Sequence, residues 1–170
     1  MAQERYTRTN QKLYFAGLTL DSWRKAELQG GAPGVLQAER ETALFHLYGA
    51  LLGLCQEIAG YYRLPGNDSP RAEALLDPAL LVEAPSPELA ELVELAQQPG
   101  TWLAQLLGAY RALYVPLIAP KPAKAASGPS LIEAVSLESE VEPVSRAELE
   151  AWRQSLKGLA QRFREGMVEW

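Results

Sequence analysis

An all-α fold is predicted for this 170-residue chain by three observations. Apolar residues recur at intervals of three and four, no alternating polar and apolar run is bounded by hairpin turns, and proline and glycine pairs separate the helical stretches. The expected architecture is four main helices in an antiparallel bundle, with short extra helices and a long Pro/Ala/Ser tether before the last one. We read the chain as a single helical domain: a hairpin over 3–63, an acidic helical segment over 70–116, a flexible tether over 117–143 and a closing helix over 145–170.

The first helix is expected over about 3–29, where Tyr6, Asn10, Leu13, Gly17 and Leu20 fall on one face. Gln29-Gly30-Gly31-Ala32-Pro33 stops it, and so short a link makes the next helix an antiparallel neighbour. That second helix, about 33–63, carries two apolar stripes. One is Leu44, Leu47, Leu51, Leu54 and Ile58 in register with Arg40, and the other is Phe45, Tyr48, Leu52, Cys55 and Tyr62. Two apolar flanks predict the central element of the bundle. Its remaining face holds His46, Gly49, Gly53 and Gly60. Interior glycines cost about 1 kcal/mol each against alanine, which predicts close approach of a neighbouring backbone.

Leu64-Pro65-Gly66-Asn67-Asp68 closes the hairpin. Ser69-Pro70, Asp77-Pro78 and Ser86-Pro87 each pair a capping residue with proline at a first helical position, predicting short helices from Pro70 to Gln97. A further helix is expected over about 101–114, ended by Pro116. The prolines at 120, 122, 129 and 143 mark the 27-residue tether, longer than ordinary bundle loops. Ser145 and Glu148 make a capping box at the last helix, with Val144 and Leu149 at the staple positions. Leu149, Trp152, Leu156, Leu159, Phe163, Met167 and Trp170 then form a long apolar seam, which belongs on the core or on a partner.

Composition excludes several classes. With 48% apolar and 22% charged residues, the chain is globular rather than disordered. The strongly apolar run from Ala43 to Leu54 is too short to span a bilayer, so no membrane association is expected. The opening Met-Ala-Gln-Glu-Arg lacks a basic-then-apolar signal pattern, and Cys55 stands alone, which together predict a cytoplasmic protein. One histidine and one cysteine leave no zinc site, and no cofactor motif is present. A formal net charge of −5 argues against nucleic acid as partner. Residues 64–116 carry seven acidic and two basic groups, whereas Arg146, Arg153, Lys157 and Arg164 line one side of the last helix. That basic stripe is expected to face the chain's own acidic segment, including Glu88, Glu91 and Glu94.

No catalytic set is expected. The one enzymatic alternative is Arg40 with His46, an Arg-x5-His spacing that resembles the motif of HEPN-type, metal-independent ribonucleases. In such enzymes arginine stabilises phosphate and histidine moves protons. Six helical positions place the two side chains about 120° apart, however, and Glu41 beside Arg40 would repel phosphate. The preferred reading is a non-enzymatic adaptor or regulatory protein acting through a protein partner or a homodimer. Trp152, Arg153, Lys157, Arg164 and Trp170 are the partner-binding candidates, with Trp170 the best exposed anchor. Asn10, His46, Gly49 and Gly53 are the pocket candidates for a second alternative, a small-molecule sensor. Asn10 is otherwise expected to be a buried, register-setting polar group.

Two stretches carry a family resemblance: Glu4-Arg5-Tyr6-Thr7-Arg8-Thr9-Asn10-Gln11-Lys12-Leu13-Tyr14-Phe15-Ala16, and Ala38-Glu39-Arg40-Glu41 through Phe45-His46-Leu47-Tyr48-Gly49 to Glu57-Ile58-Ala59. In these the chain resembles DUF6586, a family of small proteins of pseudomonads and their relatives. The resemblance implies a small bacterial cytoplasmic protein with a bundle of this size. It implies no reaction, ligand or residue role.

Overall fold

The computed structural model describes residues 2–116 and 142–168, with side chains described over 6–116 and 142–167. Its helices are α1 Ala2–Leu28, α2 Pro33–Tyr61, α3 Ala72–Leu75, α4 Pro78–Glu83, α5 Pro87–Gln97, α6 Trp102–Ala112 and α7 Arg146–Val168. The fold is all-α, and the described residues contain no strand. Most of the expected tether, residues 117–141, lies outside the described residues, as does Trp170.

Local chemistry sets the helix ends. α1 stops in a Schellman turn: Gly30 takes φ 69°, its N–H donates to the Glu27 carbonyl, and Gly31 N–H donates to that of Ala26 at 2.8 Å. α2 starts with Pro33 in its first turn. The side chains of Asp77, Ser86 and Thr101 accept from the backbone N–H of Ala79, Leu89 and Ala104 to begin α4, α5 and α6. Ser69 does not start a helix at Pro70. Its hydroxyl accepts from Arg71 N–H, and the N–H of Ala72 at the head of α3 donates to the Tyr48 hydroxyl. The α7 capping box is closed in both directions, Glu148 N–H to Ser145 Oγ at 3.2 Å and Ser145 N–H to Glu148 Oε2 at 2.8 Å.

α2 is the central element, packed on α1, α3, α5, α6 and α7. α1 runs antiparallel to it, closed at the turn by Ser22 Oγ donating to Glu39 Oε1 at 2.6 Å. The glycine face of α2 is where α1 comes closest. A Cβ on Gly53 would lie 2.5 Å from Thr9 Oγ1 and 3.3 Å from Thr9 Cα, and one on Gly49 would meet the Lys12 side chain at 3.1 Å. Close backbone approach therefore offsets the helical cost of these glycines. Thr9 belongs to the row that α1 buries, with Leu13, Ala16, Leu20 and Trp23.

The expected α1 face is thus corrected by part of a turn. Asn10 is exposed, and it and Gly17 turn towards α7, where Asn10 Oδ1 accepts from Arg164 and Arg153 lies over Gly17. α1 serves two partner helices, so a single stripe does not describe it. Phe45 is a second correction: it is 49% exposed, its ring beneath the Lys12 ammonium.

α7 lies antiparallel to α1, with Arg146 on Glu27 at one end and Arg164 on Asn10 at the other. It therefore runs parallel to α2, which it meets from Val144 beside Arg40 to Arg164 beside Glu57. Its seam of Leu149, Trp152, Leu156, Phe163 and Met167 is buried in the chain's own core, with Leu159 partly so. At about 1.5–3 kcal/mol for each large apolar side chain, that burial holds the helix in place. The remaining side of the assembly is shared by α5 and α6, two helices of 11 residues that pack on each other and on α2.

Two glycines give opposite expectations. Gly53→Ala forces a methyl against Thr9 and costs about 1–2 kcal/mol even after the gain in helix propensity, whereas Gly158→Ala, with nothing within 4 Å, gains up to about 1 kcal/mol. Urea denaturation of the two variants checks the difference in sign.

Candidate functional site

Four groups of side chains bear on function: the basic stripe of α7, the Arg40 and His46 pair, the tyrosines around Glu73 and Glu88, and the concave surfaces. The basic stripe faces α1 and α2, which corrects the expectation that it meets the acidic segment. Arg164 makes a two-pronged pair with Glu57, Nε to Oε2 at 2.9 Å and NH2 to Oε1 at 2.8 Å, while its third nitrogen donates to Asn10 and its guanidinium covers the Tyr6 ring. The Glu57 side chain is 0% exposed. Arg153 pairs with Glu150 on its own helix and holds that carboxyl below its usual range, and Arg146 pairs with Glu27. Lys157 is exposed. The acidic helix α5 is met instead by Arg162, outside the stripe, on Glu91 at 2.9 Å. Charge totals by segment did not reveal which helices are neighbours.

Arg40 and His46 do not converge. Arg40 lies over Trp23, donates to the Val144 carbonyl at 2.9 Å and also donates to Gln37. His46 sits edge-on to both Phe15 and Phe45, with ring centroids 5.4 Å from each. Burial first, and the Lys12 charge second, lower the His46 pKa, so its imidazole is kept neutral. Gly49 and Gly53 are covered by α1, through Lys12 and Thr9. Cys55 is buried, and burial pushes its thiol up to about 12, away from nucleophilic use.

The tyrosines are structural donors. Tyr48 donates to Glu73 at 2.7 Å and stacks on Tyr110 at 3.8 Å, and Tyr62 donates to Glu88 at 2.7 Å. Burial and these carboxylates push both phenols up to about 12. Each is thus held neutral while it bridges α2 to α3 or α5.

Two concave surfaces among the described residues bear on function. The smaller, about 380 Å³, lies between α1 and α7 and brings together Asn10, Arg153, Lys157 and Arg164, four of the sequence-derived candidates. The larger, about 790 Å³, lies between α2, α6 and the start of α7. Its walls are apolar: Leu44 of α2, Leu113 and Val115 after α6, Val144 and Trp152 at α7. Its α6 side is Gln105 followed by Gly108, Ala109 and Ala112, three positions with almost no side-chain bulk. Of its lining only Trp152 and Arg40 were sequence candidates. Gly108, Ala109 and Ala112 alternate with the buried Leu106 and Leu107, and that small-residue face was the available signal.

Among the described residues no three His, Cys, Asp or Glu are placed to hold a metal, and no helix is long and apolar enough to cross a membrane. Fold and site together define a small all-α protein that carries, among the described residues, an apolar groove of about 790 Å³. The chain belongs to a family of unknown function, DUF6586, which it matches over residues 1–170. Comparison with curated proteins and with solved structures gave no match.

The buried pair generates a sharp expectation. Arg164→Met leaves the Glu57 carboxylate without its cation and destabilises the protein by about 3–5 kcal/mol, whereas the double variant Glu57→Met/Arg164→Met recovers most of that loss. Guanidinium denaturation of wild type, of Arg164→Met and Glu57→Met singly and of the double variant tests it, and additive losses would contradict it.

Proposed function

We propose that this protein is a non-enzymatic cytoplasmic adaptor or regulatory module, and that it acts by docking a protein partner in the groove between α2, α6 and the start of α7. One observation supports the reading above the others: the groove has about 790 Å³ of space, accessible apolar groups from Leu113, Val115 and Val144, and only glycine and alanine at positions 108, 109 and 112 of its α6 side. Groups of this composition gain free energy when a partner removes them from water. Among the described residues of the α7 seam, Leu149, Trp152, Leu156, Phe163 and Met167 are buried in the chain's own core and so do not motivate a partner. The ribonuclease alternative has Arg40 engaged by Val144 and Gln37 while His46 lies apart between two phenylalanine rings, and the sensor alternative finds its glycine face covered by α1.

Filling the groove tests the proposal. Ala112→Trp places a large ring where α6 is bare, and Gly158→Trp on α7 serves as an exposed control outside the groove lining. Affinity enrichment from bacterial lysate should recover one specific protein with wild type and with the control, and lose it with Ala112→Trp. Recovery that ignores Ala112→Trp, or recovery of no specific protein, would contradict the proposal.

A further inference from the structure

We infer that the groove takes a short, basic amphipathic helix of a partner protein, an inference that rests on reading the groove as a docking site. Shape and charge support it separately.

The shape favours a helix. Gly108, Ala109 and Ala112 lie three, four and seven residues after Gln105 on α6, so the four form one strip about 10 Å long. A Cβ added at Gly108 has nothing within 4 Å. A strip of small residues lets an incoming helix approach closely, and the apolar walls on either side suit side chains at helical spacing. Val115, 62% exposed, and the partly buried Leu113 and Val144 supply the apolar contact.

The charge favours a basic one. Glu41, Glu142 and Glu148 stand around the groove, all on exposed residues. Among the described residues of its lining Arg40 is the one cation, held by the Val144 carbonyl, Gln37 and the Trp23 ring, so three carboxylates face one guanidinium. Glu148 is held ionised by the Ser145 N–H of the capping box. An arriving segment therefore meets carboxylates at the rim and hydrocarbon within, a pattern complementary to leucine-like residues flanked by Lys or Arg. The same argument disfavours the chain's own residues 131–141 as occupant. That stretch, Leu-Ile-Glu-Ala-Val-Ser-Leu-Glu-Ser-Glu-Val, is apolar enough to fit but carries three carboxylates and no cation.

The test uses the full chain and two fluorescent helical peptides of about 14 residues, roughly four turns. Both carry leucine on one face, and the other face is lysine in one and glutamate in the other. Fluorescence anisotropy should show the lysine peptide binding at least about tenfold more tightly, with the difference shrinking as salt is raised. Ala112→Trp and Gly108→Leu, each checked for native helicity, should abolish binding, and Glu41→Lys/Glu142→Lys should reverse the preference.

Equal affinity for the two peptides would overturn the charge assignment while leaving a docking groove. Binding of neither peptide would overturn both. Binding that survives the groove-filling variants would place the peptide elsewhere and also overturn the inference. Binding seen only after residues 131–137 are replaced by glycine and serine would make the chain's own segment the occupant. Self-association abolished by Ala112→Trp would assign the groove to a second copy.

Discussion

A carboxylate sealed from water at the centre of a helical bundle has to be answered by a cation, and in this protein that requirement fixes where the last helix goes. Glu57 stands on α2 with its side chain fully covered, and Arg164, near the far end of α7, reaches it with two donors. Sliding α7 by one turn along α2 would separate the two and strand both charges. Asn10 and the Tyr6 ring hold the same guanidinium from α1, so one side chain ties three helices in one register. Burial of the α7 seam supplies most of the attraction, and the ion pair selects a single alignment for it.

That alignment has a consequence at the other end of the helix. With Arg164 on Glu57, the start of α7 falls beside Arg40, where the Val144 carbonyl is held and Trp152 enters the core. These residues form one wall of the apolar groove, opposite the bare strip of α6. The groove is therefore set by the registration of α7. A change near its C-terminus has a physical route to a surface several turns away. Family membership does not assign a function, and the proposed docking role rests on this surface and its acidic rim.

Much of the architecture was legible in the sequence because it is written in local chemistry. The Asp77 and Ser86 caps, the Ser145 and Glu148 box and the glycine stop after α1 each act within a few residues, and each forms as expected. The central place of α2 followed from apolar residues on two flanks. What failed needed knowledge of neighbours. Asn10 shares the helical spacing of the buried row, yet α1 is divided between α2 and α7, so Asn10 faces Arg164 at the surface. The basic stripe looked like a match for the most acidic segment, but apolar packing of the seam decides which way α7 turns, and charges pair with whatever then lies opposite. The groove was hardest to see, since Gly108, Ala109 and Ala112 attract notice only once a neighbouring wall is known.

Amide hydrogen exchange followed by mass spectrometry gives the most direct test of the claim that α7 is part of the core rather than a free arm. Exchange from the middle of α7 should be as slow as from the middle of α2, with both segments opening together in mild denaturant as one cooperative unit. Exchange from α7 that is fast, or that precedes opening of α1 and α2, would contradict the account and return the apolar seam to the list of free binding surfaces.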